Sequence, residues 1–146
     1  MSYATSPPKR FKGCAIRASA GGSFPSNVVT VVPFNTVEFE TFNFWDASNP
    51  ERLTIPQGVK KVRLSINISM NNAAASSPKY MVYKNNSSAW PARIFSQDSD
   101  SSYCSASTVV DVVAGDYFDV RILQSSGSVR YLASTLDNVF FIEGLE

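Results

Sequence analysis

The chain has 146 residues, the size of one domain, and hydrophobic residues make up 44% of it. The net charge of +1 lacks the basic excess typical of nucleic-acid-binding proteins, so we expect no nucleic-acid partner. Histidine is absent, which excludes Ser-His-Asp and Cys-His catalysis and every imidazole metal site. We predict that the protein is not an enzyme and has no catalytic residues, no metal and no other cofactor.

The residue choice favours β-strands. Val, Ile, Thr and aromatic residues number 15, 7, 7 and 18, against six Leu. β-branched and aromatic side chains suit a pleated, half-buried surface. Ser and Asn, at 22 and 10 residues, supply turns and a neutral polar exterior. We therefore expect an all-β protein.

Residues 1–12 are predicted to form an N-terminal arm. Pro7-Pro8 prevents a helix there, and Lys9, Arg10 and Lys12 form a small basic cluster. The arm is either a solvated tail or an anchor that becomes ordered on a partner. The chain starts without the apolar core of a signal peptide, and no stretch approaches 18 apolar residues. We expect synthesis in a cytoplasm and no membrane insertion.

From Gly13 onward, strand signals recur at intervals of about ten residues, the spacing of a sandwich or barrel. No window indicates an amphipathic helix. The runs at 108–113 and 117–123 flank Ala114-Gly115-Asp116, which predicts a hairpin. The predicted strands, in chain order, are 14–20, 28–34, 37–44, 53–55, 59–70, 79–84, 92–97, 108–113, 117–123 and 138–145.

The strand at 59–70 carries the clearest pattern. Its apolar residues alternate strictly with polar ones, which indicates a strand with one face in the core. In the later strand at 117–123, Phe118, Val120 and Ile122 face one way and polar residues face the other. The predicted core residues of the strand at 59–70 are Val62, Leu64, Ile66, Ile68 and Met70.

Two cysteines, Cys14 and Cys104, are too few for a disulfide scaffold. We predict two free thiols, with Cys14 half-buried and Cys104 in a loop.

Two charged pairs have a functional and a plain interpretation. Glu38 and Glu40 fall on one face of a regular strand, about 6–7 Å apart from the rise per residue, and paired carboxylates flank the sugar in glycosidases. Such a pair also arises by chance on any outward strand face, which is the preferred interpretation. Lys61 and Arg63, on the polar face of the clearest strand, could bind phosphate or an acidic glycan, but the preferred interpretation is a solvated face or salt bridges between subunits.

About ten short antiparallel strands in one small domain predict a single jelly-roll sandwich over residues 13–146. Within that range, three segments carry a resemblance to a known module. They are Phe44-Trp45-Asp46-Ala47-Ser48-Asn49-Pro50, the run from Arg52 to Ser65 with its Pro56-Gln57-Gly58-Val59, and Ala114-Gly115-Asp116-Tyr117-Phe118. The terminal Phe140-Phe141-Ile142-Glu143 adds to them. Together they resemble a module of bacteriophage virion proteins that is similar to the globular head of complement component one-q and to tumour necrosis factor.

The resemblance implies a homotrimeric jelly roll with a structural or recognition role on a virus particle. The preferred function is a non-enzymatic bacteriophage virion surface protein, acting as a capsid decoration, head spike or fibre component. Its expected location is the virion, and its expected partners are itself and capsid or tail proteins. The alternative is a glycan-binding module of a phage tail fibre, or a prophage-encoded lectin-like protein, that recognises the host surface.

Three groups of residues are predicted to carry these roles. The final strand has large side chains on both faces, and a monomer can bury only one face, so the trimer interface is predicted there. Attachment to capsid or tail is predicted for the basic, proline-stiffened arm. Aromatic residues beside loops, Trp45 and Tyr103, either stack on sugar rings or, for Trp45, cap the core. The interface residues are Val139, Phe140, Phe141, Ile142 and Leu145, and the anchoring residues are Pro7, Pro8, Lys9, Arg10 and Lys12.

Overall fold

The structure, a computed structural model, describes residues 8–18, 21–71, 78–87, 93–96, 103–133 and 138–145, with the backbone alone for 93–96. These ranges contain twelve strands and no helix. The strands are β1 (Gly13–Ala18), β2 (Gly21–Phe24), β3 (Thr30–Val31), β4 (Thr36–Thr41), β5 (Arg52–Thr54), β6 (Lys61–Ser69), β7 (Lys79–Lys84), β8 (Arg93–Ser96), β9 (Tyr103–Asp111), β10 (Tyr117–Leu123), β11 (Arg130–Leu132) and β12 (Asn138–Gly144).

The strands form a sandwich of two sheets whose pairings are all antiparallel. The first sheet has the order β4-β1-β12-β6-β9. The second has the order β3-β10-β7-β8, with β5 joined to β10 beside β3. A small third sheet pairs β11 with β2. The predicted all-β jelly roll is confirmed.

The core lies between the two large sheets and follows the predicted alternation. The apolar residues of β6 and β10, including Ile66 and Val120, are buried, while Lys61 and Arg63 lie on the outer face. Because strand side chains alternate between faces, each large sheet has one face in the core and one face outside. The β6 and β10 residues that are buried are Val62, Leu64, Ile66, Ile68, Phe118, Val120 and Ile122.

The sandwich has two ends, which we call the base and the far end. At the base, β1 begins at Gly13 beside the end of β12, because Gly13 is paired with Glu143. At the far end, the last residue of β6, Ser69, is paired with Tyr103, the first residue of β9. The base therefore carries the root of the arm, and the far end carries the loops around β2 and β11.

The predicted hairpin of 108–113 with 117–123 is wrong. β9 pairs with β6, whereas β10 pairs with β3, β5 and β7 in the other sheet. At the base, Val112 turns into the core and the chain crosses to the second sheet. The Asp116 carboxylate accepts a hydrogen bond from the backbone N–H of Val113 at 2.9 Å, and Gly115 has a φ of 94°. The turn at Gly115-Asp116 therefore connects one sheet to the other. The same residue types also suit a hairpin turn, so the sequence alone does not distinguish the two connections.

Two strands were not predicted, and one predicted strand is reduced to two residues. β2 begins directly after the predicted strand 14–20, and β11 lies between the predicted strands 117–123 and 138–145, where no strand was predicted. The strand predicted at 28–34 is reduced to Thr30–Val31. Pro33 has no N–H for a sheet ladder, which ends the strand early. Val28 and Val29 are exposed in the preceding loop.

A β-bulge in β4 separates the two carboxylates that the sequence placed on one face. The pairing of β1 with β4 shifts between Ala15 and Ile16, which leaves Glu38 as the extra residue. Glu38 then lies on the outer face, where it forms a 2.7 Å ion pair with Arg17. Glu40 faces the other side, 4.0 Å from the thiol of Cys14. The two carboxylates are on opposite faces and cannot flank one sugar from the strand's outer surface.

Both cysteines are free and fully buried. Cys104 is the second residue of β9, so its predicted place in a loop is wrong, and Cys14 is more deeply buried than predicted. Burial, reinforced by the negative charge of Glu40, raises the pKa of the Cys14 thiol to about 12. The thiol therefore stays protonated and unreactive at neutral pH.

Candidate functional site

An aromatic patch lies on the outer face of the first sheet. The patch is formed by Phe11, Phe39 and Phe141, whose ring centroids are 5.7–6.4 Å apart. Phe39 and Phe141 sit on β4 and β12, which are separated by β1. Their rings meet because the residue between them, directly paired with both, is the small Ala15.

A glycine of β1 provides the seat for the third ring. A Cβ placed on Gly13 would lie 2.6 and 2.7 Å from two ring atoms of Phe11 and 2.9 Å from the carbonyl oxygen of Ile142. Real Cβ atoms do not approach other atoms so closely. The ring of Phe11 can therefore lie against β1 only because residue 13 has no side chain.

Hydrogen bonds fix the root of the arm beside this seat. The Thr41 hydroxyl donates to the Phe11 carbonyl at 2.8 Å, and the Gly144 N–H donates to the Lys12 carbonyl at the same distance. The Lys12 ammonium also lies 4.6 Å from the ring centroid of Phe42. Phe11 and Lys12 thus belong to the edge of the sheet, and the free part of the arm ends before them.

The patch remains incompletely covered. Phe11 is 47% exposed and Phe39 is 43% exposed, although each ring contacts the other two. Next to the patch, a groove of about 420 Å³ runs between β12 and β9. The groove is lined mainly by small or neutral residues, which are Ser65, Asn67, Ser105, Ala106, Ser107, Val139 and Phe141.

Charged groups on this face lie toward both ends of the patch and are paired within the chain, with Arg17 and Glu38 2.7 Å apart on the far-end side and two further pairs toward the base. Arg63 is 3.5 Å from Glu143, and Lys61 is 3.5 Å from Asp111. No described residue places an ionised side chain among the three rings of the patch or in the lining of the groove. The surface is therefore apolar in its centre, neutral on one flank and charge-paired toward both ends.

The predicted interface residues divide between the two faces of β12. Phe140 and Ile142 are fully buried in the core and have no surface to offer a partner, because alternation places them inward. Val139 and Phe141 lie outward and are partly exposed, as is Leu145 just beyond the strand. The outward residues that sequence reasoning missed are Phe11 and Phe39. Phe39 faces outward because the bulge at Glu38 reverses the alternation.

The predicted anchoring residues lie at and beyond the arm's root. Pro7 lies outside the described residues. Pro8, Lys9 and Arg10 are exposed, and no described residue pairs with the charge of Lys9 or Arg10. Lys12 is exposed too, but its carbonyl and its ammonium are engaged as described above.

The two candidate ligand aromatics lie at opposite ends of the sandwich. Trp45 bridges Leu53 toward the base, packs against the core and donates its indole N–H to the Pro50 carbonyl at 3.1 Å. These contacts agree with the capping interpretation. Tyr103 is 42% exposed at the far end, where it begins β9 rather than a loop. The two rings cannot belong to one binding site.

The outer face of the second sheet is built from stacked arginines and tyrosines. The Arg121 guanidinium lies 4.1 Å from the ring centroid of Tyr83, and Arg52 lies 4.2 Å from that of Tyr117. Arg121 also donates two hydrogen bonds, of 2.8 and 3.0 Å, to the buried carboxylate of Asp119. These hydrogen bonds, which outweigh burial, raise the pKa of Arg121.

Within the described ranges, no group of three His, Cys, Asp or Glu side chains could hold a metal ion. No helix long and apolar enough to cross a membrane occurs in the same ranges.

Comparison with known proteins identifies the fold. No protein-family model matches the chain, and no curated protein matches its sequence. Among solved structures, murine APRIL at pH 8.0 superimposes with a TM-score of 0.61 at 12% identity, covering 92% of this chain and 100% of that chain. The Eiger tumour necrosis factor of S. frugiperda gives 0.59 at 13%, covering 94% of each chain.

The globular domain of zebrafish complement 1qA gives a TM-score of 0.56 at 12% identity, covering 92% of this chain and 98% of that chain. At these identities the likeness concerns the fold. The chain has the jelly roll shared by tumour necrosis factor and complement one-q domains, as the sequence resemblance implied.

Proposed function

We propose that this protein is a non-enzymatic surface protein of a bacteriophage virion. In this proposal the jelly roll assembles as a homotrimer through the outer face of the first sheet. The N-terminal arm then attaches the trimer to a capsid or tail protein. The protein serves as a capsid decoration, head spike or fibre component.

The aromatic patch is the observation that carries the proposal. Three phenylalanines contact one another on a fully formed sheet and still leave nearly half of Phe11 and Phe39 in solvent. Contiguous exposed apolar surface bordered by neutral and polar residues is typical of a protein interface. A second copy is the partner that the jelly-roll resemblance implies.

The position of the patch favours a ring of copies. It lies on β4, β1 and β12, whereas the opposite side of the same sheet ends at β9. β9 is a nine-residue strand with inward residues, Ala106 and Val110, that are only partly buried. The patch of one copy could therefore contact the β9 edge of the next copy, head to tail. Such contacts close into a ring when the rotation between neighbouring copies permits it. The family resemblance implies three copies.

The arm is the proposed attachment element. Its basic residues Lys9 and Arg10 leave the domain at the base, without a charge partner among the described residues. An acidic patch on a capsid or tail protein would pair with them, and added salt would weaken that pairing. The far end would then point away from the particle.

Two measurements test the proposal. Sedimentation equilibrium of the full chain at micromolar concentration should give the mass of a trimer, and a stable monomer would overturn the proposed assembly. The second measurement is cosedimentation with purified virions of a phage whose genome carries this sequence. A chain lacking residues 1–10 should remain trimeric but fail to sediment with virions. Full occupancy by that truncated chain would place attachment on the jelly roll.

Glycan recognition is the second candidate, and the exposed tyrosines of the far end favour it. Tyr103 is 42% exposed and Tyr131 is 49% exposed, and both border the end of β6. Exposed aromatic rings stack on the apolar faces of sugars. Binding to a host-surface glycan array that is lost in Tyr103→Ala and kept in Trp45→Phe, at the other end, would support this candidate.

A further inference from the structure

One residue belongs both to the N-terminal arm and to the aromatic patch, the two features that the proposed function uses. Phe11 is part of the arm, and its ring is also one of the three that form the aromatic patch. The ring is nearly parallel to that of Phe141, with 9° between their planes and 6.4 Å between their centroids. The arm therefore begins on the self-association face itself.

The root of the arm is held from both sides. Thr41, at the end of β4, holds the Phe11 carbonyl, and Gly144, at the end of β12, holds the Lys12 carbonyl. Gly13 provides the space in which the ring lies. Two backbone carbonyls and one ring seat fix the root, whereas Pro8, Lys9 and Arg10 are exposed.

The half of the Phe11 ring that remains in solvent lies in the same patch as the exposed part of Phe39. A partner that covers Phe39 and Phe141 also covers Phe11, because the three rings are in mutual contact. The three rings carry no ionised group, and the nearby charges are paired within the chain, Arg63 with Glu143 and Arg17 with Glu38. A second copy, which presents the same apolar and charge-balanced surface, fits this chemistry.

We propose that Phe11 couples assembly to the arm: a second copy that docks on the aromatic patch presses the Phe11 ring into its seat and clamps the root of the arm. The inference rests on the proposed self-association. It adds that the root of the arm is held more firmly in the assembled protein than in an isolated copy, so an isolated copy would attach less well to a support.

The first test measures the strength of assembly. Phe11→Ala should raise the dissociation constant of the oligomer about tenfold or more, as truncation of a central aromatic anchor does. Deletion of 1–10 should leave the constant unchanged, and deletion of 1–12 should match Phe11→Ala. Tyr131→Ala, which removes an exposed ring at the far end, is the matched control and should behave as the wild type.

The second test measures the clamp by limited trypsin digestion of the full chain, followed by mass spectrometry. Trypsin cuts after Lys12, at the fixed root, and after Lys9, in the exposed part. The ratio of the first cut to the second should fall about fivefold or more when concentration is raised through the dissociation constant. In Phe11→Ala the ratio should not fall.

The outcomes separate the two proposals. A wild-type chain that stays monomeric overturns both. A wild type that assembles, with Phe11→Ala assembling equally well, overturns only the role of Phe11. The third outcome is that Phe11→Ala assembles more weakly while the wild-type cleavage ratio does not change as the protein assembles. This result places Phe11 at the interface and overturns the coupling.

Discussion

The two large sheets each turn one face outward, and these faces are built from different chemistry. On the second sheet, Arg121 donates hydrogen bonds to Asp119, and Arg52 and Arg121 each cover a tyrosine ring. On the first sheet, three phenylalanine rings gather over Gly13 and Ala15 and stay partly in solvent. Charged and aromatic groups on the second face find partners within the chain. The apolar rings of the first face are left partly uncovered, and that difference is the reason that we propose this face for assembly.

The largest effect is expected where neighbouring residues of β12 face opposite sides. Phe140→Ala should lower the free energy of unfolding by about 3–5 kcal/mol, because it leaves a cavity in the core. Ile66 lies on β6 and is paired with Phe140 of β12, and Ile66→Ala should cost about 2–5 kcal/mol. Phe141→Ala should cost much less. Urea unfolding of dilute protein measures all three, and a Phe141→Ala cost equal to that of Phe140→Ala would show that the outward ring belongs to the core.

Removal of the buried carboxylate on the second face comes next. Asp119→Ala should lower the free energy of unfolding by about 1.5–3 kcal/mol, because Arg121 loses two charge-assisted hydrogen bonds in a poorly solvated place. Asp111→Ala is the matched control. Its carboxylate is 86% exposed and 3.5 Å from Lys61, so the change should stay below about 0.5 kcal/mol. Equal effects of the two variants would show that the buried Asp119–Arg121 pair contributes no more to stability than an exposed ion pair does.

The third prediction concerns assembly. Phe141→Ala should raise the dissociation constant of the oligomer about tenfold, which corresponds to about 1.4 kcal/mol. Tyr83→Phe, on the second face, keeps the ring under Arg121 and should leave assembly unchanged. Analytical ultracentrifugation over a concentration series measures both constants. If the tyrosine variant alone weakens assembly, the interface lies on the second sheet.

The smallest effect is expected at the corner that joins the sheets. Burial alone would raise the pKa of Asp116, but the Val113 N–H, the Asn85 amide and the Lys84 ammonium together lower it. A carboxyl with a lowered pKa in the folded state stabilises the fold above its ordinary pKa near 4, and this stabilisation is lost as pH falls through the lowered value. Asp116→Asn should cost about 1 kcal/mol at pH 7.

The cost of Asp116→Asn should shrink as the pH falls below about 4, because the wild-type carboxyl becomes protonated first in the unfolded chain and then, at the lowered pKa, in the folded protein. Urea midpoints of the wild type and the variant, compared from pH 7 to pH 2.5, measure this trend. A constant difference across that range would show that the charge of Asp116 contributes nothing.

Alternation identified the core of the sheets because it depends only on neighbours in sequence. β6 and β10 bury the residues that period two predicts, and the last strand, Asn138–Gly144, was located within one residue. The bulge at Glu38 has no such local signature, and one extra residue moved Phe39 to the outer face. The crossing at Asp116 escaped prediction because sheet membership depends on pairing across the chain.

The sequence predicted only part of the aromatic patch. Phe141 was predicted to meet a neighbour because a strand with large side chains on both faces cannot bury both in one copy. Phe11 was missed, although it shares its parity with Gly13 and Ala15. That spacing of an aromatic and two small residues was the available signal. Its meaning depends on β4 and β12 flanking β1, which is long-range information.

The hydrogen bond between Gly144 and Lys12 places the start and the end of the folded domain side by side at the base. The turn at Gly127 lies at the opposite end, tied to Ser26 by a 2.9 Å hydrogen bond. Segments joined to either end of the folded domain would therefore leave from the same side of the molecule. A foreign peptide grafted near Gly127 would be carried on the other side, so this fold could serve as a carrier that presents inserted epitopes.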